Sequence, residues 1–199
     1  MSVNFNLDLI KSVDIYLLAH LISANYEKDI KVLDAGSGSG RNSLFFLKNG
    51  FDIECIDPDS AAIENCKLSW PQFASSFKNE RIEDYDGQFD SFDFIISNAV
   101  LHFAKSHSEF YFQVSKMIQW LKPGGVIFIR MTTDIGMEGK ATEIKNGTHQ
   151  LLDGSIRYLI NKNMIEKIET DFALKRVQPL KTVVVDEQRS MLVWCLRKK

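Results

Sequence analysis

The stretch Val32-Leu33-Asp34-Ala35-Gly36-Ser37-Gly38-Ser39-Gly40 constrains this chain more than any other. An apolar run enters a turn with three glycines in five positions, and glycine permits backbone angles closed to other residues. Val32 and Leu33 suit a strand buried on both faces of a parallel sheet. Residues 41–48 then read as a helix, polar at the start, apolar through Leu44, Phe45, Phe46 and Leu47, and stopped by Asn49-Gly50. Strand, glycine turn and helix in that order form a nucleotide-binding unit. The alternative is a glycine-rich turn that holds no ligand.

Glycine spacing narrows the ligand. Dinucleotide folds use G-x-G-x-x-G, with the third glycine where the helix packs against the strand. Here the spacing is G-x-G-x-G, and Arg41 stands where that glycine belongs, so a nicotinamide-dependent oxidoreductase would have to tolerate its bulk. No Gly-Lys-Ser/Thr follows, which excludes a P-loop. Roughly 20 residues on, where the dinucleotide fold places its ribose-binding acid, a second strand at 51–56 ends in Asp57-Pro58-Asp59. Asp57 can accept hydrogen bonds from both hydroxyls of a ribose. Its competing role is a helix cap, which Asp59 or Ser60 can fill ahead of Ala61, Ala62, Ile63 and Cys66. On the ribose reading, Asp57→Ala weakens nucleotide binding about tenfold or more and leaves folding little changed.

Composition removes several function classes. A chain of 199 residues with 45% hydrophobic content suits one domain, residues 1–199, with a full core. A formal net charge of -2 argues against nucleic acid or an anionic membrane as partner. The three cysteines, Cys55, Cys66 and Cys195, contain no C-x-x-C pair, so neither a disulfide scaffold nor a metal site is expected. Residues 1–9 include Asn4, Asn6 and Asp8 and do not read as a signal peptide, and no apolar run reaches the ~20 residues of a spanning helix. A cytoplasmic location is the expectation.

Strand-like and helix-like segments alternate along the rest of the chain, the pattern of a parallel α/β sheet. A first helix is expected at 7–24, on the spacing of Leu7, Ile10, Ile15, Leu18, Leu21 and Ile22, within an N-terminal extension spanning 1–28. Further strands are expected near 73–77 and at 92–97, separated by a polar loop. A helix at 105–121 ends at Leu121-Lys122-Pro123-Gly124-Gly125, which also opens a strand at 126–131. A long loop, a helix at 151–163, a strand within 165–177 and a final pair at 181–185 and 190–197 complete the reading.

Asp34-x-Gly36-x-Gly38-x-Gly40 resembles the D-x-G-x-G-x-G motif of the class I S-adenosylmethionine-dependent methyltransferases. Phe92-Asp93-Phe94-Ile95-Ile96-Ser97-Asn98-Ala99-Val100-Leu101-His102-Phe103 is similar to that family's fourth strand and following loop, and residues 121–129 to its turn into the fifth strand. Within the family, residues 38–44 resemble the tellurite-resistance group. The resemblance implies a Rossmann-like, mostly parallel seven-stranded sheet with an antiparallel C-terminal strand and helices on both faces. It also implies in-line methyl transfer from S-adenosylmethionine to a small-molecule acceptor, with S-adenosylhomocysteine as product; the alternative is a catalytically silent module that binds S-adenosylmethionine or a partner.

Carried onto this sequence, the family's cofactor contacts fall on Asp34, Gly36, Ser37, Gly38, Gly40, Arg41, Asp57, Pro58, Ile82 and Asn98. Where the family has an acid and a small residue beside adenine, this chain has Arg81 and Ile82; arginine has no acceptor, so Glu83 or Asp84 would have to supply one unless both are simply solvated. Ser97-Asn98-Ala99-Val100 lacks the Asn/Asp-Pro-Pro-Tyr/Phe sequence of amide and base N-methyltransferases. His102 is a candidate base, or else a packing histidine; Arg130 is a candidate anion holder, or else a surface ion pair. Residues 132–164, with His149, Arg157 and Tyr158, occupy the place of the family's acceptor lid.

Overall fold

The computed structural model describes residues 10–24 and 26–199. Its elements run α1 (Ile15–Ala24), β1 (Lys31–Ala35), α2 (Ser43–Lys48), β2 (Asp52–Ile56), α3 (Ser60–Ser69), β3 (Phe77–Lys78), β4 (Phe92–Asn98), α4 (His107–Trp120) and β5 (Leu121–Thr133). There follow β6 (Thr142–Lys145), β7 (Thr148–Gln150), β8 (Ile156–Tyr158), α5 (Lys162–Asp171), β9 (Leu174–Arg176), β10 (Lys181–Val185) and β11 (Arg189–Lys198).

Val32, Leu33 and Ala35 are fully buried because β1 runs through the middle of the main sheet. Among the described residues that sheet has eight strands, in the order β10-β11-β5-β4-β1-β2-β3, with β9 also paired to β11. β3, β2, β1, β4 and β5 pair in parallel. β11 lies antiparallel to β5, and both β9 and β10 lie antiparallel to β11. The seven-strand expectation thus misses one short strand: β9 and β10 pair with opposite halves of β11, and between them Pro179, without an N–H, cannot continue a ladder.

Alternate residues of each strand point to opposite faces, so two cores form. Val32, Phe94, Phe128 and Val193 meet Leu17, Phe46 and Ile63 from α1, α2 and α3. Leu33, Ile95, Ile129 and Trp194 meet Phe110, Val114 and Trp120 from α4 and Ile165 and Ile168 from α5. Helix starts are capped by side chains: Asp59 accepts from the N–H groups of Ala61 and Ala62, Ser106 from Glu109, and Asn161 from Met164.

Several expected elements differ, among them the strand at 126–131, which begins earlier, at Leu121, and carries Pro123, Gly124 and Gly125 within it. The 73–77 strand shrinks to Phe77–Lys78, because Pro71 opens a tight helical turn over Pro71–Ser76. The loop and helix expected from 132 to 163 are instead the end of β5 and a three-stranded antiparallel sheet, β6-β7-β8. Asn146 and Gly147 sit between Lys145 and Thr148 with φ of 51° and 85°, the two-residue hairpin for which Asn-Gly is a strong signal. The last helix falls at 162–171, where a strand was expected, because Asn161 caps it and Ile165 and Ile168 share a buried side. Residues 7–9 of the expected first helix lie outside the described residues, and residues 10–13 form a turn and a bend, so α1 begins only at Ile15, where Asp14 accepts from the N–H groups of Tyr16 and Leu17. Among the described residues no helix is long and apolar enough to cross a membrane.

Phe94 carries the centre of one core, with His20, Tyr26 and Phe46 ring centroids 5.5, 5.0 and 6.2 Å away. Phe94→Ala should cost about 3–5 kcal/mol, read as a lowered urea midpoint. His20 is only 3% exposed; burial first, then Arg197 and Lys181, push its pKa down to about 4. Unfolded, the ring titrates near 6.5, so its contribution to stability is present above that value and lost as pH falls through about 4. Urea midpoints of wild type and His20→Gln should therefore converge between pH 7.5 and pH 4.5.

Candidate active site

β1 and β4 are neighbours, yet the helices that follow them, α2 and α4, pack on opposite faces of the sheet. Chains diverging in this way leave a crevice at the carboxyl ends of the strands. A cavity of about 520 Å³ occupies it, within the size range of ligand pockets, lined by segments 36–39, 41–42, 56–58, 80–83 and 98–100 and by side chains of α4.

The glycine turn is held to β2. Gly36 and Ser37 donate their N–H groups to Ile56 O at 2.8 and 3.0 Å, and Gly38 donates to Asp57 Oδ2 at 2.8 Å. Gly36 has φ of 90°, and a Cβ there would lie 2.2 Å from Val100 Cγ2, so no other residue fits without displacing the β4 loop. A Cβ at Gly40 would lie 2.9 Å from Trp70. Gly40 therefore serves close packing and does not line the cavity. Asp34 does not line it either. It is 1% exposed beneath the turn, where Oδ2 accepts from Ser43 Oγ at 2.6 Å. Burial pushes its pKa up to about 6, against the lowering effect of Ser43, with Asp57 adding a further rise.

Asp57 lines the cavity with both carboxylate oxygens engaged, Oδ2 to Gly38 and Oδ1 to the Asp59 N–H at 2.8 Å. Asp59, not Asp57, caps α3. Each carboxylate oxygen of Asp57 keeps acceptor capacity for a further hydrogen bond. The expectation that Asp57 is dispensable for folding is thereby corrected, since its side chain fastens the glycine turn to the end of β2.

Arg81, Ile82 and Glu83 all line the cavity, whereas Asp84 does not. Arg81 Nε lies 3.3 Å from Glu83 Oε2, and Gln113 Nε2 donates to Glu83 Oε1 at 2.7 Å. Burial opposes ionisation of Glu83, but hydrogen bonds led by that from Gln113 hold its carboxyl below the usual range. Gln113 was not visible from sequence, because on α4 it reads as one polar residue among many. Its Oε1 is buried and unpartnered, as are Ser37 Oγ and both ends of the Asn98 carboxamide. Gln113, Ser37 and Asn98 are 8%, 7% and 7% exposed, and all three line the cavity, so these groups are placed to bond a ligand.

Asp14 is a second residue that sequence reading missed. Its Oδ1 accepts from Tyr16 and Leu17 at the start of α1, while Oδ2 lies 3.0 Å from Arg130 and 3.8 Å from Arg41. Arg130 is thus held in a half-buried ion pair, with its guanidinium 5.3 Å from the Tyr16 ring centroid. Neither Arg130 nor His102 lines the main cavity; both line a neighbouring one. Pro58, Arg41 and Asn98 line the main cavity.

A family model described as a methyltransferase domain matches residues 13–167. The chain belongs to the methyltransferase family. Solved structures with the same fold include an S-adenosylmethionine-dependent methyltransferase from Methanosarcina mazei, with a TM-score of 0.75 at 20% identity over 94% of this chain and 99% of that one. Another is the 1,6-didemethyltoxoflavin-N1-methyltransferase of Burkholderia thailandensis, solved with S-adenosylhomocysteine, with a TM-score of 0.69 at 18% identity over 96% of this chain and 78% of that one. TehB from Haemophilus influenzae has a TM-score of 0.66 at 20% identity over 90% of this chain and 61% of its own. No curated protein sequence is significantly similar to the chain. The enzyme has the Rossmann-like class I fold, whose methyltransferases take their methyl group from S-adenosylmethionine.

Because Asp57 joins turn to strand, Asp57→Ala should lower the ligand-free melting temperature by several degrees. Asp57→Asn, which keeps one acceptor oxygen, should fall between it and wild type in a thermal melt followed by circular dichroism.

Proposed function

We propose that the enzyme transfers a methyl group from S-adenosylmethionine to a small-molecule acceptor by in-line displacement. The observation that carries this reading is the set of buried, unpartnered polar groups, Ser37 Oγ and the Asn98 carboxamide, at the strand ends of the main cavity. When bound, the cofactor supplies a methyl on a cationic sulfur; the acceptor's lone pair forms the new bond to carbon as the carbon–sulfur bond breaks toward sulfur. The chain's own residues are then asked chiefly to bind and align, and alignment can lower a barrier by about 7 to 11 kcal/mol.

In this reading Asp57 accepts from the ribose hydroxyls and Glu83, with Gln113, faces adenine in place of the acid missing at Arg81. Asn98 and Ser37 meet the amino-acid end, with the open face of Gly38 beside them. Arg41 and Pro58 complete the walls. His102 bonds the acceptor as a neutral imidazole. Burial first, then Arg157, Arg130 and Arg189, push its pKa down to about 4, and a group so reluctant to take a proton is a poor general base at neutral pH. A small acceptor is supported by the size of the neighbouring cavity, about 270 Å³, which shares Ala99 with the main one.

Calorimetric titration with S-adenosylhomocysteine tests the cofactor assignments. Asn98→Ala should bind about tenfold more weakly than wild type yet melt no lower without ligand, since it removes a buried group that has no partner among the described residues. An Asn98→Ala protein that binds as tightly as wild type would remove the residue from the site. Incubation of the enzyme with methyl-labelled cofactor and cell extract should label small molecules; label found only in protein would overturn the acceptor class.

A further inference from the structure

The neighbouring cavity is built by four elements that are distant in sequence. Arg130 enters it from β5, Arg157 from β8, Arg189 from the start of β11, and His102 from the turn that follows Ala99. Ala99 itself has φ of 64°, uncommon for a residue with a side chain, and donates its N–H to Arg130 O at 2.7 Å. Leu151, Val185 and Met191 give the cavity an apolar wall.

Its charges do not balance. One carboxylate, Asp153, is set against the three arginines of the lining, and it is bound to Arg189 at 3.1 Å and to Ser155. Arg130 is answered from outside by Asp14, but its Nε is buried without a partner. Arg157 has no carboxylate partner among the described residues; it donates to Ile156 O at 2.7 Å and stacks 4.9 Å from the Phe103 ring centroid. His102 is 6% exposed, and its Nδ1 is buried and unpartnered. A cationic acceptor would be repelled here, and a neutral one would leave Arg157 unanswered. A guanidinium fork matches a carboxylate or phosphate edge with two parallel hydrogen bonds.

We propose that this cavity holds the methyl acceptor through an oxyanion, a carboxylate or phosphate on a small apolar body, with Arg157 as its principal anchor and Arg130 and Arg189 beside it. The assignment rests on the reading of the chain as a small-molecule methyltransferase. Arg157 and Arg189 reach the site from segments that the fold brings together only when β8 and β11 are in place, so the anion also ties the β6-β7-β8 sheet to the main sheet.

The test divides deproteinised small molecules from a cell extract on an anion-exchange resin, then incubates the retained and unretained pools separately with enzyme and methyl-labelled S-adenosylmethionine. Label should enter the retained pool about tenfold or more above the unretained one. Prior phosphatase treatment of the pool separates the two oxyanions: label lost identifies a phosphate, label kept a carboxylate. Arg157→Gln should cut labelling of the retained pool about tenfold or more and Arg157→Lys less, while S-adenosylhomocysteine binding and the melting temperature hold in both. If Arg157→Gln melts lower, Arg189→Gln makes the same comparison. Label confined to the unretained pool, or undiminished in the arginine variants, overturns the anionic acceptor while leaving the enzyme a small-molecule methyltransferase. No label in either pool, with cofactor binding intact, overturns the small-molecule reading and this inference with it.

Discussion

The site depends on how a glycine turn is fastened to the strand beside it. Three consecutive N–H groups, those of Gly36, Ser37 and Gly38, point to the end of β2 and bond Ile56 O and the Asp57 carboxylate. A turn that spends its donors in this way cannot drift, so the wall of the main cavity is preformed. Asp57 is thereby both a structural and a candidate binding residue. A carboxylate has enough lone pairs to hold the turn and still accept from a ligand.

Around this anchor the enzyme separates its charges. Acids and amides gather at one end of the main cavity, where Glu83 is bonded by Arg81 and Gln113. Arginines gather beyond Ala99, where Arg130, Arg157 and Arg189 surround His102. Asp14 limits that second cluster by tying Arg130 to the start of α1. The depressed pKa of His102 is the chemical trace of the arrangement, a neutral ring kept neutral by burial and by its cationic neighbours.

Local signals made much of the fold legible. The strand, glycine turn and helix of 31–48, the strands at 52–56 and 92–98, α4 and the closing β10–β11 pair all have a chemistry that acts within a few residues. The cap of α3 could be narrowed to Asp59 or Ser60 for the same reason, and the structure uses Asp59. The errors arose where two local signals competed. In 142–158, Asn146-Gly147 specified a hairpin that weak periodicity obscured, and at 162–171 the cap at Asn161 outweighed an apolar run that also suits a strand.

For the site, residue types and spacing determined the family resemblance and the segments facing the cavity, because a glycine turn after a buried strand has few uses. The tertiary structure decided which members of those segments face inward. Asp34 and Gly40 carry the motif yet lie outside the lining, while Gln113, far away in sequence, lies within it. It also decided that Arg130 meets Asp14 and that Arg157 and Arg189 converge on His102. Such pairings are set by strand order and by the hand of the crossovers, which bring together residues a hundred positions apart, and no local pattern of side chains encodes that distance.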